Sequence, residues 1–293
     1  MESVAAKLGA HLKYLLLAFA CTLVLAPARS QTYRTMPWEE YNKVQYRQPY
    51  LLNIYTSHGA LLYFGVKHSY DPCDEQFPEI EYFWRRLDPD VVFYEGPEIP
   101  DLRILEQGDP KSEAIREYGE RGLVKYLAGS TIPAFSMEPE FGKEVAELLR
   151  QYQPEEVKLF YIVRDLAAYD GLNSPKINKE EFLQDAIARY SAEPTLKNVR
   201  PRNVAEMQPT FAERFPKLLT YENATMSWVD PAHLASRMNE IARASTEFRD
   251  QVIVAKITGA VCDGKRVLAV VGWSHVAREE PAIRTVITEN CAH

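Results

Sequence analysis

The chain has 293 residues, 46% of them apolar and 26% charged, with a formal net charge of −7 at neutral pH. That balance is ordinary for a folded globular protein and argues against both a disordered chain and a bundle of membrane helices. An acidic chain without any Lys/Arg-rich block also lacks the electrostatic footprint that nucleic-acid binding needs.

Residues 1 to about 30 read as a secretory leader. Lys7 and Lys13 accompany an apolar run from Tyr14 to Leu25, and Ala26-Pro27-Ala28-Arg29-Ser30 supplies small residues for cleavage after Ala28 or Ser30. That run is too short to span a bilayer comfortably, so no stable membrane span is expected after cleavage, and the product would be secreted or periplasmic. Losing the leader leaves the mature chain at about −9. Cys73, Cys262 and Cys291 then remain. An oxidising compartment permits one disulfide, and Cys262 with Cys291 is the preferred pair because both flank the final strand and helix; sequence does not fix the connectivity.

Residues 31–293 are expected to form one α/β domain with a largely parallel central sheet, helices on both faces, an N-terminal β-hairpin and a helical insertion. Leu51 to Tyr55 and Leu61 to Val66 are β-rich and joined through Ser57-His58-Gly59-Ala60, which predicts the hairpin. A helix follows over Pro78 to Leu87, with Ile80, Phe83, Trp84 and Leu87 at helical spacing. A short apolar strand, Val91 to Tyr94, then ends on Glu95-Gly96-Pro97. The plan repeats with a helix around Glu113 to Leu127, a strand Thr131 to Phe135 and the sequence Met137-Glu138-Pro139. Helices over Phe141 to Gln151 and Pro154 to Asp170 come next, the second closed by Gly171 at its C-cap.

Residues 172–229 are punctuated by prolines and read as a helical insertion or lid, with Asn223-Ala224-Thr225 as a glycosylation sequon. Asp230-Pro231 predicts a helix start, with Leu234, Met238 and Ile241 on one face and the helical region continuing to Ile257. Asp263-Gly264 turns the chain into a buried strand, Arg266 to Val271, which ends on Gly272-Trp273-Ser274-His275.

Two histidines share one setting. Gly65-Val66-Lys67-His68 and Gly272-Trp273-Ser274-His275 each stand where an apolar strand ends, and glycine at that place permits a tight turn that aims an imidazole over the sheet edge. Glu95 follows a buried strand directly and Glu138 lies just beyond the next. In a largely parallel sheet, His68, Glu95, Glu138 and His275 converge on one edge. His68, Glu95 and His275 are then candidate ligands of a divalent transition metal (Mn, Co, Zn or Fe), with the carboxylate left over, Glu138, as general base. Arg249-Asp250, in the helical region before the last strand, reads either as a helix-surface ion pair or as an inward arginine that stabilises a developing oxyanion; Arg164-Asp165 offers the same two readings, and Arg249 is the favoured candidate because it lies nearer to a Gly-x-x-His element. Lys67 beside His68 opposes metal binding unless its side chain points away.

In order and spacing, Gly65-Val66-Lys67-His68, Pro89 through Pro97, Glu138-Pro139, Phe248-Arg249-Asp250 and Val270 through His275 resemble the superfamily of TraB/PrgY proteins, Tiki proteases, ChaN-like haem-binding proteins and erythromycin esterases. The resemblance covers most of residues 60 to 280 and implies an α/β fold with paired Gly-x-x-His elements at a shared site. In Tiki-like members it implies metal-dependent cleavage of peptides, and in ChaN-like members binding of haem or iron without catalysis. Carried over residue by residue, it points to His68, Glu95, Glu138, Arg249 and His275. Val66 stands where relatives often have Thr or Glu, which weakens an esterase assignment. The expectation is therefore an exported metal-dependent hydrolase acting on a peptide or small molecule, with haem or iron binding as the alternative.

Overall fold

The computed structural model describes residues 32–99, 102, 109–169 and 178–291, and Tyr33–His293 cluster as one compact unit. The leader, Gly171, Asn173-Ser174-Pro175 and His293 lie outside the described residues. Five strands form the sheet: β1 (Tyr50–Tyr55), β2 (Ala60–Val66), β3 (Val91–Tyr94), β4 (Ala134–Ser136) and β5 (Arg266–Gly272), in the order β1-β2-β5-β3-β4. β1 and β2 are an antiparallel hairpin, with Tyr55 opposite Ala60; β2, β5, β3 and β4 run parallel. The expected α/β class and the mixed sheet are both observed.

Interior strands buried on both faces must be apolar at every position. β2 and β5 meet that requirement. Leu61, Tyr63, Val267, Ala269 and Val271 face helices α8 (Arg237–Cys262) and α9 (Trp273–Asn290), where Ile253, Val254, Ile257, Ile283 and Ile287 complete the layer. Leu62, Phe64, Val66, Leu268 and Val270 face α2 (Gln76–Leu87) and α3 (Pro110–Ala128), against Phe77, Ile80, Ile115, Leu123 and Val124. A short N-terminal helix α1 (Trp38–Tyr41) lies against α9.

The segment expected as an insertion carries α6 (Lys179–Ser191), α7 (Val204–Arg214) and two short 3-10 turns, with Asn223 exposed in the first of them. Leu183, Ile187, Met207 and Phe211 pack with α4 (Phe141–Leu148), α5 (Pro154–Tyr169) and the first turns of α8 into a second core. Lys158 of α5 is completely buried there, its Nζ donating to Ser191 Oγ and to the carbonyls of Leu196 and Val199.

Several boundaries differ from expectation. α8 begins at Arg237, not Asp230: Ser236 takes the N-cap and accepts from the Asn239 amide, whereas Asp230 accepts from Ala232 in a turn and Leu234 is exposed. From there α8 continues unbroken to Cys262. β4 begins at Ala134, because the amides of Thr131 and Ile132 turn back to Ala128 before the strand pairs with β3. Cys262 and Cys291 are joined as a disulfide at the ends of α8 and α9, and Cys73 is an exposed free thiol. Among the described residues, no helix is long and apolar enough to cross a membrane.

Candidate metal centre

Four parallel strands deliver their carboxyl ends to one rim, where open α/β sheets place their ligand crevice. His68 follows β2, Glu95 follows β3, Glu138 follows β4, and Gly272 ends β5. The five residues singled out in the sequence meet there. His68 Nε2 lies 3.7 Å from Glu95 Oε2, His275 Nε2 lies 3.6 Å from Glu95 Oε1, and Arg249 Nη2 lies 3.0 Å from Glu95 Oε1. Glu138 receives Arg249 as a two-pronged pair, one prong Nε to Oε2 at 2.6 Å and the other Nη2 to Oε1.

The glycines act differently from the expected tight turn. Gly65 lies inside β2, Gly272 caps α9 with φ −54°, and neither adopts the left-handed conformation. Both are needed for close approach. A Cβ on Gly65 would stand 2.7 Å from the Trp273 Cα, and one on Gly272 would stand 3.1 Å from His68 Nε2 and 3.3 Å from Glu95 Oε2. His275 accordingly sits in the first turn of α9 rather than in a loop, and the Gly272 amide donates to Glu95 Oε2 at 2.6 Å.

Behind each imidazole stands a carboxylate. His68 Nδ1 is 2.6 Å from Glu120 Oε1, and His275 Nδ1 is 2.8 Å from Asp250 Oδ1. A carboxylate only accepts, so each Nδ1 carries a proton and donates it. In the neutral ring, Nε2 is then the free lone pair, and both Nε2 atoms face Glu95. This carboxylate–histidine arrangement is the one that orients and strengthens metal-binding imidazoles.

Glu120 and Glu279 were not singled out in the sequence. Glu120 reaches His68 because α3 breaks at Gly119 (φ +64°), where a side chain would meet the Ser69 carbonyl at 2.9 Å. Two glycines inside an otherwise helical pattern were the only signal of that break. Asp250, named earlier only beside Arg249, is completely buried and paired with the guanidinium of Arg278 as well as with His275. Glu279, four residues beyond His275 on α9, accepts from the Tyr63 hydroxyl at 2.8 Å.

Asp250, His275 and Glu279 also bring ligand atoms within 4.8 Å of one another. That trio is already occupied by its own contacts: Asp250 is neutralised by Arg278, and Glu279 is bonded by Tyr63. A buried charge needs such partners, and removing one member of a buried ion pair costs about 3–5 kcal/mol. The trio supports the His275 ring from its Nδ1 side. His68 leaves 56% of its side chain exposed and His275 only 9%, so access is from the His68 side.

The electrostatics follow. The hydrogen bond to Glu120 raises His68 to about 9, with Glu95 assisting against burial. Burial works against charge on His275, but Asp250, Glu279 and Glu95 raise it to about 10. Burial also opposes charge on Glu95, yet His275, His68, Arg249 and the Gly272 amide hold its carboxyl well below the usual carboxylate range. Arg249 likewise holds Glu138 low against the effect of burial. Burial pushes Glu279 up to about 8, which favours its neutral form.

Lys67 is exposed on the strand's outer end and Arg164 stacks on Phe160 and Tyr161 in the second core. His58 is exposed in the hairpin turn, and exposed His233 pairs with Asp230. Among the described residues, no hydrogen bond links 178–229 to the side chains of this rim.

Family models, characterised proteins and solved structures yield no match to this chain.

Proposed function

We propose that the protein is a metal-dependent hydrolase, peptidase-like, whose divalent transition metal (Mn, Co, Zn or Fe) is held by His68 and His275 beside Glu95. One observation carries the reading: two imidazoles from distant parts of the chain each spend Nδ1 on a carboxylate and turn Nε2 toward the same acid. Charge supports it as well. With both imidazoles neutral, Glu95, Glu120, Glu138 and Asp250 outnumber their contacting cations Arg249 and Arg278 by two, a deficit that one divalent ion or two protons would fill. Imidazole with carboxylate is a donor set suited to such ions.

A divalent ion at this place would supply Lewis acidity, polarising a scissile carbonyl and making water nucleophilic at neutral pH. The chain's own residues set the rest. Glu95, fixed by the Gly272 amide and Arg249, keeps negative charge between the imidazoles. Arg249 keeps its fork on Glu95 and Glu138, and among the described residues its Nη1 makes no hydrogen bond, which suits it to an incoming oxyanion. Glu138 was expected as general base; the two-pronged pair holds it charged, a weak base, and we assign it the positioning of Arg249. Residues 1 to about 30 and the Cys262–Cys291 disulfide support an exported setting, secreted or periplasmic.

Elemental analysis of the purified protein and of a His68→Ala/His275→Ala double variant tests the site, and turnover of a peptide library with added Mn, Co or Zn tests the chemistry. The expected result is one metal equivalent and hydrolysis in the wild type, with both lost in the variant. Equal inertness of the two proteins would contradict the reading. A Soret shift on haem addition that His275→Ala abolishes would replace it with the haem-binding alternative.

A further inference from the structure

The N-terminal segment from Tyr33 to Tyr46 lies across α8 and α9 and grips the first turns of α9 at two places. Its path is fixed by backbone contacts. The Tyr33 amide donates to Gln251 Oε1 at 2.6 Å, Gln251 Nε2 donates back to the Tyr33 carbonyl at 2.9 Å, and the Met36 amide donates to the Arg278 carbonyl at 2.7 Å. At the first place, Tyr41 and Tyr46 pack on the Trp273 ring, with centroids 5.8 and 6.1 Å away. At the second, the buried guanidinium of Arg278 lies 3.9 Å from the Trp38 ring centroid while its Nε donates to the Met36 carbonyl at 3.2 Å.

From these contacts we infer that this strap is a positioning element of the metal centre. Trp38 and Met36 hold Arg278; Arg278 holds Asp250 Oδ2; Asp250 Oδ1 fixes the ring and tautomer of His275. A guanidinium this deeply buried has lost its water and needs partners that offset the lost hydration. Its carboxylate is one, and the electron-rich face of an indole, in a site emptied of water, is another. Among the described residues Trp38 Nε1 is buried without a hydrogen-bond partner, and what Trp38 gives Arg278 is its ring face. An aromatic replacement should therefore serve, and an aliphatic one of similar bulk should not. As far as metal affinity is concerned, the inference rests on the proposed function; the state of the His275 ring does not depend on it.

The test uses the full chain and four variants: Trp38→Phe, Trp38→Leu, Arg278→Lys, and Phe211→Leu as a control in the second core, a buried cluster that does not include Trp38. Two quantities are measured, the Nδ1–H resonance of His275 by nitrogen–proton NMR of the metal-free protein and the affinity for Zn by competition titration. Trp38→Phe should keep the hydrogen-bonded resonance and bind Zn within about twofold of wild type. Trp38→Leu and Arg278→Lys should lose or shift it and weaken Zn binding about 10–100-fold, the range for supports of metal ligands. Phe211→Leu, with a comparable loss of thermal stability, should change neither. Should Trp38→Leu not fold, Arg278→Lys decides. A His275 resonance unchanged in Trp38→Leu and Arg278→Lys, or changed as much in Phe211→Leu, would overturn the inference. A wild type that binds no Zn yet shows the predicted NMR pattern would instead sink the metal reading and leave the strap standing.

Discussion

Gly65 and Gly272 hold matching places in their two motifs, yet a methyl group at each would strike different things. At Gly65 it meets the backbone of Trp273 at 2.7 Å, which has no rotamer to yield. Gly65→Ala should therefore lower stability by about 1–3 kcal/mol, the usual range for overpacking, read as a drop in melting temperature. At Gly272, whose φ any residue accepts, the methyl meets the donor atoms of His68 and Glu95. Gly272→Ala should leave the melting temperature nearly unchanged and weaken metal binding; the reverse pattern would show that its neighbours are not the ligands. Glu279 adds a pH signature. Its carboxyl stands near 8 in the fold and returns toward 4.5 on unfolding, so the folded state holds a proton that the unfolded chain releases between those values. Its contribution is complete below pH 4.5 and is lost as pH rises through 8. Glu279→Gln removes that slope: between about pH 5 and about pH 8.5, wild type should lose more thermal stability than the variant, and parallel curves would contradict the assignment.

At the scale of elements, β2, β3 and β5 were legible because strands buried on both faces are apolar throughout, and the residues that follow them were therefore placed at one rim. Caps and interruptions were not legible. Asp230-Pro231 carries every local mark of a helix start, but Ser236 caps α8, and only the packing of Met238 and Ile241 into the second core decides between them. Glu120 was missed for a related reason: the Gly119 break matters only because the Ser69 carbonyl comes within reach, a contact between segments 50 residues apart in sequence. His275 was placed in a turn, whereas α9 begins beneath it; that helix is what brings Arg278 and Glu279 under the same ring. The disulfide pins the ends of α8 and α9 across a separation of 29 residues, at the opposite end of β5 from the candidate site. By loop-closure entropy, removing it should cost about 3.5 kcal/mol. Replacing both cysteines by alanine should lower the denaturation midpoint accordingly and leave metal affinity intact; a loss of affinity would mean that the far ends of these helices set the geometry of the near ones.

For the whole molecule, the sheet brings into one small volume groups that start 207 residues apart, and most of them arrive already paired. Two of the pairings are incomplete in the same way. The acids behind them raise His68 to about 9 and His275 to about 10, which favours a proton on both nitrogens at neutral pH, and without an ion those two protons balance the charge of the site. A divalent ion bound at Nε2 must displace both protons. Calorimetry of Zn or Mn binding near pH 7, repeated in buffers of different ionisation enthalpy, counts them directly. The account predicts release of about two protons per ion in the wild type, about one in His68→Ala, and affinity that falls as the pH is lowered. Binding without proton release, or release unchanged in both single-histidine variants, would contradict it.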